Sequence, residues 1–108
     1  MSGLDKVIAS RLLTCVIDGH QQEVYVNLGE PYDDEGAFTC PYEIVIGNDS
    51  TIHAITGVDG IQALQLALFM VGSSLRSMSH ASDWHCAGEA GSGFPATLNE
   101  PLFGEGNE

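Results

Sequence analysis

From Gly57 onward the apolar residues of this chain change period. In GVDGIQALQLALFMVGSSLRSM, the residues Ile61, Leu64, Leu68, Val71, Leu75 and Met78 recur at steps of three and four, which places them on one stripe of an α-helix. The runs before that point read as strands, with no helix-length segment between them. Parallel strands need crossovers of a dozen or more residues, so such a chain is held to an antiparallel meander with its helix laid across. The expected class is α+β in one domain, residues 1–108. A four-stranded, mainly antiparallel sheet fills 1–57, one long helix 58–78, and a loop-rich wrapping segment and tail 79–108.

The helix start is well marked. Asp59 serves as N-cap, and Gln62 three residues on completes a capping box that satisfies otherwise unpaired amides. Ala63, Ala67 and Ser74 form a strip of small residues suited to close approach, while Leu66, Phe69 and Met70 widen the apolar surface. Gln62, Gln65, Ser73 and Arg76 are the positions that call for water. A helix this apolar is covered on more than one side, by the sheet and by the C-terminal segment or a second subunit. A homodimer through the helix is therefore one expected arrangement.

Ahead of it, KVIASRLLTCVI and EVYVNL are joined through the turn signal Asp18-Gly19, which predicts a hairpin. Val24, Val26 and Leu28 alternate with Glu23, Tyr25 and Asn27, whereas the first run alternates less cleanly. GEPYDDEGAF reads as an exposed acidic loop. FTCPYEIVIG puts Phe38, Cys40, Tyr42, Ile44 and Ile46 on one face, and Pro41 predicts an edge position or a bulge. TIHAIT is the short fourth strand. In the C-terminal segment Phe94, Leu98, Leu102 and Phe103 are the expected anchors, with Trp84 a packing residue.

Charge narrows the partners. Fifteen acids against three bases give −12, and protonating all four histidines leaves 15 − 7, or −8. Such a surface repels phosphate, which argues against nucleic acid and anionic membranes, both bound chiefly through Lys and Arg. A basic protein surface is what this field attracts. No apolar run reaches the roughly 18 to 20 residues that span a bilayer, and the N-terminal residues lack a secretory apolar core, so a cytoplasmic location is expected. Cys15, Cys40 and Cys86 cannot all pair and form no Cys-x-x-Cys, which predicts reduced thiols, the first two as small buried hydrophobes.

Candidate chemistry is sparse. His80, His85 and Cys86 are capable metal ligands, but their spacing matches no zinc pattern. Cys86 and His85 are chain neighbours that point apart on an extended strand, which disfavours a nucleophile–base pair. Asp33, Asp34 and Glu35 lack the glycine-punctuated loop and terminal glutamate of calcium motifs, and GEAGSG lacks the Lys-Ser/Thr ending of a phosphate loop. No catalytic residue, metal or cofactor is expected.

CPYEI on a strand, GVDGIQALQLAL opening the helix, and a Trp followed by GE and GFP resemble a family of small uncharacterised bacterial proteins. That family has a Cys-Pro-Tyr strand, a Gly-Val-Asp-x-x-Gln-Ala-Leu helix start and a Gly-Phe-Pro closing loop. The resemblance runs from Phe38 to Pro95, with His85 and Cys86 standing where smaller residues are expected. It implies a small single-domain fold and carries no catalytic residues. In size and acidity the chain is also similar to bacterial immunity proteins that neutralise basic toxin domains. The expected function is an acidic protein-binding module of that type, occluding a basic, nuclease-like surface with Asp33, Asp34, Glu35, Glu43 and Asp49. The alternatives are a self-associating scaffold domain using the helix around Phe69 and Met70, and a metal-dependent enzyme using His80, His85 and Cys86.

Overall fold

A computed structural model describes residues 4–78 and 83–95. It is α+β: one antiparallel sheet and one helix, in the order β1 (Val7–Ile17), β2 (His20–Gly29), β3 (Tyr32–Asp34), β4 (Ala37–Ile46), β5 (Asp49–Gly57), α1 (Gly60–Met78), β6 (Trp84–Cys86) and β7 (Glu89–Ala90). The four expected strands are β1, β2, β4 and β5, forming the expected meander. The sheet is larger than the four strands expected, because β3, β6 and β7 join it to make seven.

Tight hairpins set the meander's register. Asp18, Glu35 and Ala87 each adopt a left-handed backbone (φ 53°, 56° and 54°) and each is followed by a glycine of positive φ. This pairing of conformations is the two-residue turn whose twist matches the flanking strands. The acidic stretch read as a loop is thus a hairpin, with Asp34 paired to Ala37 and the Gly36 amide donating to Asp33 Oδ1 at 3.1 Å.

Pro41 stands in a central strand, at the bulge. Leu28 pairs with Tyr42 and Tyr32 with Thr39, so the three residues 29–31 pass the two residues 40–41. The missing proline amide falls where the ladder is already broken. Gly29 is required there, since a Cβ would lie 2.6 Å from the Pro41 ring.

The cap forms nearly as the sequence dictates: the Gln62 amide donates to Asp59 Oδ1 at 2.8 Å. The Gln62 side chain accepts from the amide of Val58, one residue before the cap, at 2.7 Å. The expected stripe packs on the core except at Ile61, but its centre is shifted onto the small-residue strip. Ala63, Ala67, Val71 and Leu75 face inward at steps of four, Leu64 and Leu68 flank them, and Ile61 is 68% exposed. Small residues win the central line because the sheet is close: a Cβ on Gly57 would lie 2.6 Å from the Ala63 amide nitrogen.

α1 lies over β4 and β5. The chain beyond the helix adds to this core, Trp84 as a member of the cluster that holds Leu13, Cys15, Val24 and Val26 and Phe94 packed against it. Trp84 is fully buried, pairs with Cys15 across β1–β6, and donates its indole N–H to the Leu75 carbonyl at 3.1 Å. Arg11 donates to the Ser92 carbonyl at 2.9 Å with its guanidinium 5.1 Å above the Phe94 ring, and Arg76 donates to the Pro95 carbonyl at 3.2 Å. The segment around Gly93-Phe94-Pro95 is therefore the docked loop that its glycines and aromatics predict. The other expected anchors, Leu98, Leu102 and Phe103, lie outside the described residues.

Candidate protein-interaction surface

An antiparallel sheet with a helix on one face has reason to be apolar on that face only; the other meets water and reads polar. The uncovered face here breaks that rule. Register places Leu12 opposite Tyr25, Tyr25 opposite Val45, and Ile52 opposite Glu43 in the next row. Leu12 is 42%, Tyr25 45%, Ile52 48% and Val16 52% exposed. The irregular alternation of KVIASRLLTCVI has this origin: Leu13 and Cys15 point to the core while Leu12 and Val16 point the other way. A depression of about 680 Å³ opens among Val7, Ser10, Glu23, Tyr25, Asn27 and Val45. Leu12, Tyr25 and Val45 form one apolar row, with Ile52 at the end of the neighbouring row and Val16 beyond Thr14 and Glu23, and exposed apolar residues grouped in this way mark contact with another molecule.

A polar row crosses the same face. Ser10 Oγ donates to Asn27 Oδ1 (2.7 Å), Asn27 Nδ2 donates to Glu43 Oε1 (2.9 Å), and Ser50 Oγ donates to Glu43 Oε2 (2.5 Å). The chain of bonds spans β1, β2, β4 and β5. Glu43 is only 1% exposed, so its carboxylate is spent on holding these strands in register and is not offered to a partner.

The five acids read as a contact set are not brought together. Asp33, Asp34 and Glu35 are exposed at the β3–β4 hairpin, Asp49 is exposed at the far end of β4, and Glu43 lies inside between them. The nine residue steps from Ala37 to Ile46 set the two exposed groups about 30 Å apart. Asp18 and Glu23 join Asp49 at its end, because Val24 pairs with Ile46 and the β1–β2 turn lies just beyond. The uncovered face thus has an apolar row beside a polar one in its middle and exposed carboxylates at both ends. The chain's three basic side chains are engaged within the fold: Lys6 lies 3.6 Å from Glu30, and the two arginines hold the C-terminal loop.

A family model described as a domain of unknown function (DUF6968) matches residues 9–96. The chain belongs to the DUF6968 family. In this DUF6968 member the match takes in the segment from Phe38 to Pro95 that suggested an uncharacterised family, and extends back into β1. No curated protein and no solved structure is matched by the chain.

On the far edge, His85 is exposed and Cys86 half-buried against the core, on opposite sides of β6; His80 lies outside the described residues. Among the described residues no group of three or more His, Cys, Asp or Glu side chains is placed to hold a metal ion. All three thiols are free, with Cys15 and Cys40 buried as expected. Burial pushes the Cys40 thiol above its ordinary 9.0. It also pushes the Tyr42 phenol above 10.0, partly offset by a hydrogen bond with Ser74. No helix among the described residues is long and apolar enough to cross a membrane.

Proposed function

We propose that this DUF6968 chain is an acidic, non-catalytic protein-binding module that acts in the cytoplasm as an immunity-type inhibitor, covering a basic surface of a toxin domain, nuclease-like in charge. The observation that supports it best is the uncovered sheet face, where Leu12, Val16, Tyr25 and Ile52 are exposed in a chain of charge −12 whose bases are all engaged. The apolar centre supplies desolvation on contact, and the carboxylates at its two ends steer a positively charged partner. The fitting partner carries an apolar patch flanked by Lys and Arg. Asp33, Asp34, Glu35 and Asp49 act in steering; Glu43 acts by keeping the strands aligned.

Association and dissociation rates test this division of labour with a basic toxin domain as the probe. Asp33→Asn with Asp34→Asn and Glu35→Gln is expected to slow association up to about tenfold and to weaken its salt dependence. Tyr25→Asp is expected to raise the dissociation rate by about thirtyfold or more, the scale of a central contact residue. Binding that ignores salt, or that survives Tyr25→Asp, refutes the reading.

A further inference from the structure

On its β4 side the ladder ends at β5. Among the described residues β5 pairs with β4 alone, leaving the outer edge of Asp49–Gly57 open along nine residues. Natural sheet edges are blunted by proline, lysine, bulges or brevity. β5 reads DSTIHAITG, has neither proline nor lysine, and keeps an unshifted register with β4 from Phe38–Gly57 to Ile46–Asp49. On the opposite side β6 pairs with β1 at Thr14 and Cys15 alone, so among the described residues Val7–Leu13 is a second unpaired edge, one blunted by the irregularity between Val7 and Ala9.

We propose that β5 pairs antiparallel with β5 of a second copy, centred on His53, joining the two sheets into one. That register is self-complementary. Ser50 meets Thr56, Thr51 meets Ile55, and Ile52 meets Ala54, so hydroxyl faces hydroxyl and β-branched residues dominate the rest. Charge selects this occupant. Two chains of −12 repel, yet Ser50–Gly57 carries no acid or base other than His53. The two Asp49 side chains end about 27 Å apart, beyond three Debye lengths of roughly 8 Å at physiological salt. Asp59 lies two residues beyond the Gly57 that meets Asp49, so one like-charged pair approaches at each end of the junction and is screened by salt. A basic partner finds no carboxylate along this strip, whereas the same neutral strip of a second copy matches it.

The edge alone buries less than the roughly 1,200 Å² of a stable interface. The helix adds to it. Leu66, Met70 and Ser74 follow one another at steps of four, and the hydrogen bond between Ser74 and Tyr42 of β4 sets this flank over the β4–β5 side. Leu66 is half-buried without belonging to the core cluster, and it extends the contact above the paired strands. Such pairing leaves the uncovered face open, so it stands or falls separately from the partner-binding reading.

Sedimentation equilibrium of the full chain tests it. The unmodified protein is expected to dimerise. His53 is exposed, and His53→Lys or His53→Asp alone puts like charges face to face and is expected to raise the dimer dissociation constant at least about tenfold. An equal mixture of the two variants is expected to form a one-to-one heterodimer, since Lys then faces Asp. Trp84 fluorescence checks that each variant folds. A monomer at every concentration overturns the proposal and leaves the edge to an extended segment of another protein. A dimer insensitive to both substitutions, or a mixture that stays monomeric, overturns the register.

Discussion

Glu43 shows how a residue's chemistry depends on which neighbours the register supplies. By sequence it is one acid among fifteen on an alternating strand; in the fold, Asn27 and Ser50 close over both its oxygens. Nothing in PYEIV signals that closure, because the partners come from β2 and β5. Glu43→Ala leaves two side chains without their acceptor and is expected to cost about 1–3 kcal/mol in denaturant unfolding, while Asp34→Asn stays within about 0.5 kcal/mol. Equal effects would remove the structural role assigned to Glu43. Cys40 and Tyr42 act through their protons. Each has a folded pKa above its unfolded value, so the unfolded chain ionises first; their contribution is fully present below pH 9.0 and is lost as pH rises through the raised values. Cys40→Ala is expected to flatten the fall of the urea midpoint that begins near pH 9, and an unchanged slope would contradict the buried-thiol origin.

At the scale of elements, the meander and the helix were legible and the helix's rotation was not. Four runs with turn signals between them, then a change of period at Gly57, leave little freedom in the order of elements. But α1 is apolar nearly all round, and period alone cannot choose between a stripe that starts Ile61–Leu64–Leu68 and one that starts Ala63–Ala67, both continuing through Val71 and Leu75. Close approach at Gly57 decides for the second, a constraint set by the sheet. Ala67→Leu is therefore expected to destabilise by about 1–3 kcal/mol through overpacking, and Ile61→Ser to stay within about 0.5 kcal/mol. The reverse ranking in thermal unfolding would restore the first line as the buried one. β3, β6 and β7 escaped the sequence for another reason: strands of two or three residues are too short to show a period, and Trp84–Cys86 pairs only because the chain after the helix returns to β1.

For the whole molecule, charge was legible as a total and opaque as a pattern. The −12 is plain in the sequence, yet among the described residues Asp33, Asp34 and Glu35 stand at one end of the sheet and Asp18, Glu23 and Asp49 at the other, with an apolar row between them. The clue to that surface was present in β1, whose apolar residues fall on both parities. It takes the pairing of Leu12 with Tyr25, and of Tyr25 with Val45, to turn an untidy alternation into an apolar row. The most direct test is covalent tyrosine labelling of the chain alone and in complex with a basic toxin domain, reading Tyr25 on the uncovered face against Tyr42, which is only 3% exposed and serves as the protected reference. The expected result is that Tyr25 reacts readily in the free chain and is shielded in the complex. Equal labelling of Tyr25 in the two states would show that the partner docks elsewhere and would contradict the assignment of this face.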